Sequence, residues 1–185
     1  MKYFSKGKRG KIYLIKDKAI KKGLVIHIKN EVKWLKILNK YGIGPKLISY
    51  KNSYFTYKFV KGKFILNYIK DNNKNKIKKV FINVLKQCRV LDKLKINKKE
   101  MHNPYKHIII SKKVVMIDFE RCYITRKPKN VSQFCQFLIS NYLKDSLKEK
   151  KIKINKKELI SKVKDYKKSY FDKEFIEILK LIKKS

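Results

Sequence analysis

Short apolar runs separated by turn residues dominate the first third of the chain and predict β-strands. The runs lie at residues 3–4, 12–15, 19–20, 47–50 and 54–60. Between the third and fourth runs, apolar residues recur at helical spacing over residues 29–41, and Gly42-Ile43-Gly44-Pro45 should end that helix. This part of the chain therefore predicts a small sheet that carries one helix.

The pattern of the remaining residues is mainly helical. Helices are predicted over residues 64–69, 76–94, about 130–147, 156–168 and 171–184. Ile108-Ile109-Ile110 and Val114-Val115-Met116-Ile117 predict two strands joined by a polar turn. Residues 95–107, which include Pro104, predict a polar loop.

Lys61-Gly62-Lys63 separates these two patterns and is a candidate hinge. We therefore expect an α+β fold with two lobes in one domain. The first lobe would be a small antiparallel sheet with one helix over residues 1–62, and the second a mainly helical lobe over residues 63–185. A cleft between two lobes is the usual place for a nucleotide.

The chain is strongly basic, with 51 Lys and Arg against 14 Asp and Glu and a formal net charge of +37. All but four of the basic residues are lysines, the exceptions being Arg9, Arg89, Arg121 and Arg126. Because lysine binds phosphate as a point charge, this surface favours non-specific binding of a polyanion such as RNA over base recognition. A compositional bias towards Lys, Ile and Asn explains the charge equally well, and both interpretations stay open.

Several other features of the chain favour a cytoplasmic protein. No apolar run reaches the length of about 18 residues that predicts a membrane span, and no apolar segment follows Met1 to predict a secretion signal. Cys88, Cys122 and Cys135 lie far apart, so we expect buried, reduced thiols. A zinc site is not expected, because no full set of ligands occurs at suitable spacing.

The candidate chemistry begins where the strand at residues 114–117 runs directly into Asp118. A carboxylate at the end of a buried strand is a common way to hold a metal ion at the edge of a sheet. Its meaning depends on what precedes it, namely a turn with two glycines, Ala19-Ile20-Lys21, Glu31 on the predicted helix, and a polar loop over residues 100–107. In this order, these are the parts of an ATP-phosphate site.

Together these segments resemble the protein-kinase fold in its small atypical form. The resemblance covers residues 5–140 and is to a group of predicted archaeal Ser/Thr protein kinases, distantly similar to the RIO kinases and the KEOPS-complex kinase. It is carried by residues 6–14, 38–47 and 100–108, by Ile117-Asp118-Phe119-Glu120, and by residues 129–134. The resemblance implies a bilobal kinase-like protein that uses ATP and Mg²⁺ to phosphorylate Ser or Thr of a protein substrate, or of itself.

The resemblance assigns residues near the N-terminus to nucleotide binding. Gly7 and Gly10 would shape a turn over the phosphates, where a missing Cβ permits positive φ and close approach of the backbone. Lys21 would reach the α- and β-phosphates, with Lys22 as the alternative register. Glu31 would form a salt bridge with that lysine and hold it in place.

The resemblance also assigns the carboxylates of the second half. Asp118 would bind Mg²⁺, Phe119 would pack between the lobes, and Glu120 replaces the usual glycine. In the polar loop, Glu100 replaces the usual catalytic aspartate and would orient the substrate hydroxyl, while Lys98 replaces the usual histidine.

Two more polar residues complete the implied site. His107 lies two residues beyond the usual asparagine and would contact phosphate, and Asn103 would supply a second oxygen to the metal. A register that places His102 at the catalytic position is an alternative. The segment over residues 121–129 is very short, so a protein substrate would bind without the usual peptide-docking elements.

Two other functions fit the same residues. One is a pseudokinase or ATPase that binds nucleotide and acts as a switch on an RNA or ribosomal particle. The other is a basic RNA-binding protein without catalysis. Binding of Mg-ATP would separate the first two functions from the third, and transfer of the γ-phosphate would separate the kinase from the pseudokinase.

Overall fold

The computed structural model describes residues 1–7 and 9–185, so Lys8 of the predicted glycine segment lies outside the described residues. The first part of the chain forms a five-stranded antiparallel sheet with strand order β1-β2-β3-β5-β4. The strands are β1 (Lys2–Lys6), β2 (Gly10–Ile15), β3 (Lys18–Gly23), β4 (Leu47–Tyr50) and β5 (Tyr54–Lys58). Each begins within a few residues of a predicted apolar run. β3 is the middle strand, where Lys21 pairs with Ile12 of β2 and Phe55 of β5.

One helix, α1 (Val25–Leu38), connects β3 to β4. It begins before the predicted start at residue 29. The pattern does not predict its first turn, because Val25 and Ile26 are apolar but exposed and do not follow the spacing of the buried face. A 3₁₀ turn (Asn39–Tyr41) follows, and Gly42 ends it in the left-handed conformation at φ 69°. The buried face of α1 includes Glu31, so this carboxylate lies against protein rather than in solvent.

The second part of the chain is mainly helical. Its elements are β6 (Lys63–Phe64), α2 (Ile65–Asp71), α3 (Lys74–Lys93), β7 (Ile96–Lys98), β8 (Ile108–Ile110), β9 (Val114–Met116), β10 (Cys122–Ile124), α4 (Asn130–Leu138), α5 (Asn141–Glu149), α6 (Lys156–Ser169) and α7 (Asp172–Lys184). β6, β8 and β9 form one small antiparallel sheet, and β7 pairs with β10. The protein is therefore a mixed α+β fold, with seven α-helices in the described residues.

Gly62 lies at the predicted hinge, directly before β6. A Cβ at this position would collide with the carbonyl oxygen of Ile110 in β8. The glycine therefore lets the chain that leaves the five-stranded sheet pass close to the small sheet of the second part.

Two predictions about the second part are wrong. Residues 95–107 are not a polar loop: Ile96, Asn97 and Lys98 are buried in β7, and two 3₁₀ turns follow. The helix predicted over residues 130–147 is two helices, because the chain is extended at Ser140 between α4 and α5. The Ser140 hydroxyl donates to the Phe137 carbonyl at 2.7 Å, which satisfies a carbonyl at the end of α4.

The length and polarity of the helices bear on the membrane prediction. Among the helices described, none is both long and apolar enough to cross a bilayer.

The three cysteines are buried free thiols, as predicted. Burial raises the pKa of each thiol, and that of Cys122 to about 12.

Because the thiolate is the reactive form, we expect an aromatic disulfide reagent at about pH 8 to modify none of the three cysteines in the native protein. All three should react after denaturation in urea. A native thiol that reacts as fast as free cysteine would contradict this burial.

Candidate functional site

A cleft of about 820 Å³ brings together the predicted site residues, apart from Asn103. It is lined on one side by β1, β2, β3, α1 and β5, and on the other by residues between Glu100 and Arg121. The predicted residues that line it are Gly7, Gly10, Lys21, Glu31, Glu100, His107 and Asp118. Residues far apart in the chain therefore share one concave surface.

Lys21 lies at the centre of this cleft and contacts three carboxylates. Its Nζ is 2.6 Å from Glu31 Oε2, 3.2 Å from Asp118 Oδ1 and 3.2 Å from Glu120 Oε2. The predicted salt bridge between Lys21 and Glu31 is thus present. Lys22, the alternative, points elsewhere, with its Nζ 5.4 Å from the centre of the Tyr13 ring. Adjacent residues of a strand face opposite sides, which explains why only one of the two lysines enters the cleft.

The charges in this cluster alter one another's pKa. Burial lowers the pKa of Lys21, but the carboxylates of Glu31, Asp118 and Glu120 outweigh burial and raise it above its ordinary value. Burial raises the pKa of Glu31, against the opposing effect of Lys21. Burial also acts to raise the pKa of Asp118, yet the ammonium groups of Lys21 and Lys98 hold it below its ordinary range. Lys21 and Asp118 are therefore charged at neutral pH.

Asp118 follows β9 in a conformation that few residues adopt. Its φ is 65°, in the left-handed region, where Asp and Asn are among the tolerated residues. Its backbone carbonyl accepts a hydrogen bond from Lys98 Nζ, and the next amide, of Phe119, donates to Glu31 Oε1 at 3.2 Å. These contacts fix the Asp118 backbone from two sides. The buried Phe119 ring packs on Lys98. A Cβ at Gly44 would come within 3.0 Å of this ring.

Sequence reasoning missed the roles of Glu120 and Arg9. The resemblance presents Glu120 only as a replacement for glycine, but its Oε1 is 3.1 Å from Arg9 Nη1 and its other oxygen contacts Lys21. Arg9 comes from the turn that precedes β2, so this ion pair joins residues 111 positions apart across the cleft. The available signal was composition, since Arg9 is one of only four arginines and Glu120 is one of 14 acidic residues.

Glu100 lies on the 3₁₀ turn after β7 and is almost fully buried. Lys98 Nζ, which is fully buried, lies 3.1 Å from Glu100 Oε2. Glu100 Oε1 has no hydrogen-bond partner among the described residues, and the nearest cation is Arg121, whose Nε is 3.7 Å away. One carboxylate oxygen is therefore held by Lys98, while the other is buried without a hydrogen-bond partner in the described part of the chain.

The polar residues after Glu100 divide into two groups. His107 lines the cleft, with its Nδ1 3.6 Å from Asp118 Oδ2, and burial together with Lys98 lowers its pKa, so the ring is neutral at pH 7. Asn103 is exposed and does not line the cleft. It lies between the two 3₁₀ turns, and its backbone amide donates to the Glu100 carbonyl. The prediction that Asn103 supplies a metal ligand is therefore wrong for this conformation. His102 is also exposed, with its Nδ1 2.7 Å from the Lys99 carbonyl, which disfavours the alternative register.

The two glycines of the turn lie in the cleft, but the positive φ predicted for them is wrong. Neither Gly7 nor Gly10 has a positive φ; the positive values belong to Gly42 and Gly44. Gly7 donates its amide to the Gly10 carbonyl at 2.9 Å, which closes the turn. A Cβ at Gly10 would lie 2.5 Å from the Lys22 carbonyl oxygen, so Gly10 is needed for the close pairing of β2 and β3.

Asn130 fixes the segment that carries Lys98 and Glu100. Its side chain accepts from the Lys98 amide at 2.8 Å and donates to the Ile96 carbonyl at 2.7 Å. Asp92 in turn accepts from the Asn130 side chain at 2.7 Å. All of these groups are buried, so β7 is held against α3 and α4 by hydrogen bonds that water cannot compete for.

The cleft contains groups that could hold a divalent cation and phosphates. Carboxylate oxygens of Glu31, Asp118 and Glu120 lie within 4.8 Å of one another, and Mg²⁺ prefers oxygen ligands. The cations that line the cleft, all suited to phosphate oxygens, are Lys6, Arg9, Lys21, Lys106 and Arg121.

Other lining groups suit the rest of a nucleotide. Ile12, Phe55 and Ile117 give part of the cleft an apolar wall, which suits the face of a base. His107 Nδ1 and Glu100 Oε1 are buried polar atoms without a hydrogen-bond partner in the described part of the chain. Buried polar atoms are rarely left unpaired, so both are candidates for contact with a ligand. These groups fit a magnesium–nucleotide complex.

The chain matches no family model and no curated protein sequence. What it does must be inferred from the geometry and chemistry of this cleft.

Proposed function

We propose that this protein is a small kinase-like phosphotransferase with two lobes around the Lys21 cleft. It would bind ATP with Mg²⁺ and transfer the γ-phosphoryl group to a Ser or Thr of a protein substrate, or of itself. The lobes correspond to the sheet with α1 and to the mainly helical second part.

One observation carries the proposal: Lys21 contacts Glu31 of α1 and Asp118 at the end of β9 at the same time. A lysine on the middle strand, a buried helix glutamate and a strand-end aspartate are the groups that position phosphates and metal in kinases. They come from three separated segments, and the carboxylate of Glu31 is buried where it meets this lysine. A structural ion pair would not need the second carboxylate or the open cleft beside it.

In the proposed reaction, ATP would supply the phosphoryl group, and Mg²⁺ bound with it would neutralise the negative charge of the phosphates. Asp118 and Glu120 would hold the metal, since both carboxylates face the cleft beside Lys21. Lys21 would release these carboxylates and bind phosphate oxygens, while Glu31 keeps its ammonium in position. Arg9 would leave Glu120 and contact the outer phosphates from the glycine turn.

Glu100 would orient the acceptor hydroxyl. Glu100 lines the cleft, its Oε1 has no hydrogen-bond partner among the described residues, and Lys98 fixes the orientation of the carboxylate through the other oxygen. Lys98 also binds the Asp118 carbonyl, so one buried ammonium sets the distance between the acceptor-binding and metal-binding carboxylates. Correct placement of reacting groups is the main contribution a kinase makes to phosphoryl transfer.

A specific observation favours a second candidate, a pseudokinase that binds nucleotide without transfer. Glu100 has a cation beside each oxygen, Lys98 at 3.1 Å and Arg121 at 3.7 Å. These neighbours compete with a substrate hydroxyl for the carboxylate. Nucleotide binding would then act as a switch on a particle that the protein contacts.

Substitution of Lys21 tests nucleotide binding. We expect Lys21→Gln to weaken Mg-ATP binding about 10- to 100-fold, because a charge-assisted hydrogen bond contributes about 1.5–3 kcal/mol. Lys22→Gln is the matched control, since it removes the same charge from the opposite face of β3 and should leave the affinity unchanged. Calorimetric titration of both variants and the natural protein gives the comparison.

Two results would overturn parts of this proposal. If the natural protein shows no Mg-dependent affinity for ATP, both the kinase and the pseudokinase are wrong. If it binds Mg-ATP but transfers no labelled γ-phosphate to itself or to generic Ser/Thr substrates such as casein or myelin basic protein, the pseudokinase is the better description.

A further inference from the structure

A second cleft, of about 830 Å³, lies away from the Lys21 site. It is formed by the chain between α1 and β4, by the end of β5 with the residues that follow it, and by the turn between β8 and β9. Five lysines line it: Lys46, Lys58, Lys61, Lys112 and Lys113. Among the described residues that line this cleft, none carries a carboxylate.

The two clefts differ sharply in charge balance. In the Lys21 cleft, the cations face the four carboxylates of Glu31, Glu100, Asp118 and Glu120. In the second cleft, by contrast, the five ammonium groups are exposed and form no ion pair within residues 1–7 and 9–185. Like charges around a concave surface reinforce one another's potential and attract anions.

The floor of the second cleft is apolar. Leu47, Phe59, Val60 and Val115 line it between the lysines. Phe59 supplies an aromatic ring to this floor. Cations around an apolar floor that includes an aromatic ring suit a ligand with regularly spaced phosphates and flat bases.

We propose that this second cleft binds single-stranded RNA. The lysines contact phosphates, and the apolar floor with Phe59 accommodates bases. Binding depends little on sequence, because lysine is a point charge without the fixed donor geometry that reads base edges. An acidic peptide would use the lysines but not the apolar and aromatic surface, so the structure favours RNA. This site is separate from the Lys21 cleft, and the inference does not depend on the proposed function.

The test compares two triple variants from which the same charge is removed. The cleft variant is Lys61→Gln, Lys112→Gln and Lys113→Gln; the control variant is Lys148→Gln, Lys157→Gln and Lys168→Gln, three exposed lysines of α5 and α6. Binding is measured by fluorescence anisotropy with labelled single-stranded RNA of mixed sequence, over a series of KCl concentrations. Circular dichroism and thermal melting check that each variant is folded.

We expect the RNA affinity of the cleft variant to fall at least about tenfold near physiological salt. The negative slope of log affinity against log salt should become shallower by about 2, because each phosphate that a lysine neutralises on a single strand contributes about −0.7 to this slope. The control variant should change both quantities much less. Mg-ATP binding should be the same in all three proteins, since none of the substituted lysines lines the Lys21 cleft.

Three results would overturn the inference. Equal decreases in the two variants would mean that RNA binds the whole basic surface rather than this cleft. Negligible RNA affinity of the natural protein near physiological salt would mean that the charge is compositional. Displacement of the RNA by polyglutamate of equal charge at equal concentration would mean that the cleft recognises negative charge alone, and an acidic peptide would then be the better ligand.

Discussion

Asp118→Asn is expected to reduce transfer of the γ-phosphoryl group by at least about 10²-fold, as loss of a charge that stabilises a transition state does. The substitution removes the negative charge that would hold the metal but keeps the shape of the side chain. It also suits the backbone, because Asn tolerates the left-handed conformation that Asp118 adopts at φ 65°. Alanine is a poorer choice, since a loss of activity could then come from backbone strain.

The matched control is Asp145→Asn on α5, an exposed residue that makes no ion pair in the described part of the chain. Transfer of labelled phosphate should be unchanged in this variant, and both variants should melt as the natural protein does. Full activity of Asp118→Asn in a preparation free of contaminating kinase would remove Asp118 from the mechanism. It would also remove the proposed metal site.

The part of the fold that follows from local patterns could be predicted from the sequence. The strands of the first part each contain a short apolar run, and Lys21 follows Ala19-Ile20 on the middle strand. The contact between Lys21 and Glu31 is implied by the resemblance to protein kinases, and the scarcity of acidic residues in this part of the chain supports it.

Contacts between distant segments could not be predicted from the sequence. The pair of Arg9 and Glu120 depends on how the glycine turn meets the chain after β9, which no local pattern encodes. Lys98 is a clearer case, because a lysine normally predicts exposure, yet this one is fully buried between Glu100 and the Asp118 carbonyl. Residues 95–107 therefore look like a loop in the sequence, although Asn97 and Lys98 are buried and have hydrogen-bond partners from distant segments.

Asp92 shows how strongly the second part of the fold depends on such partners. Its carboxylate accepts hydrogen bonds from both nitrogens of Asn130, at 3.0 and 2.7 Å, from the Val131 amide at 3.3 Å and from the Tyr166 hydroxyl at 2.8 Å. It therefore joins α3 to α4 and α6. Arg89, one turn earlier on α3, binds the same Tyr166 hydroxyl and the carbonyl of Tyr170.

Asp92→Ala is expected to lower the free energy of unfolding by at least about 3 kcal/mol, because each buried hydrogen-bonding group that loses its partner costs about 1–3 kcal/mol. Four donors would be left without their acceptor in a region that water does not reach. Tyr166→Phe is the control: it removes one of these donors, together with the oxygen that accepts from Arg89, and should cost about 1–2 kcal/mol.

Urea unfolding gives both values, followed by circular dichroism and by the fluorescence of Trp34, the only tryptophan, which is buried in α1. Because Trp34 lies in the first part of the chain and Asp92 in the second, a shift of both signals to the same lower midpoint would mean that the two parts unfold together. A shift in circular dichroism alone would mean that the helical part unfolds separately. Equal destabilisation of the two variants would contradict the central position of Asp92, because the amides of Asn130 and Val131 would then have been satisfied without its carboxylate.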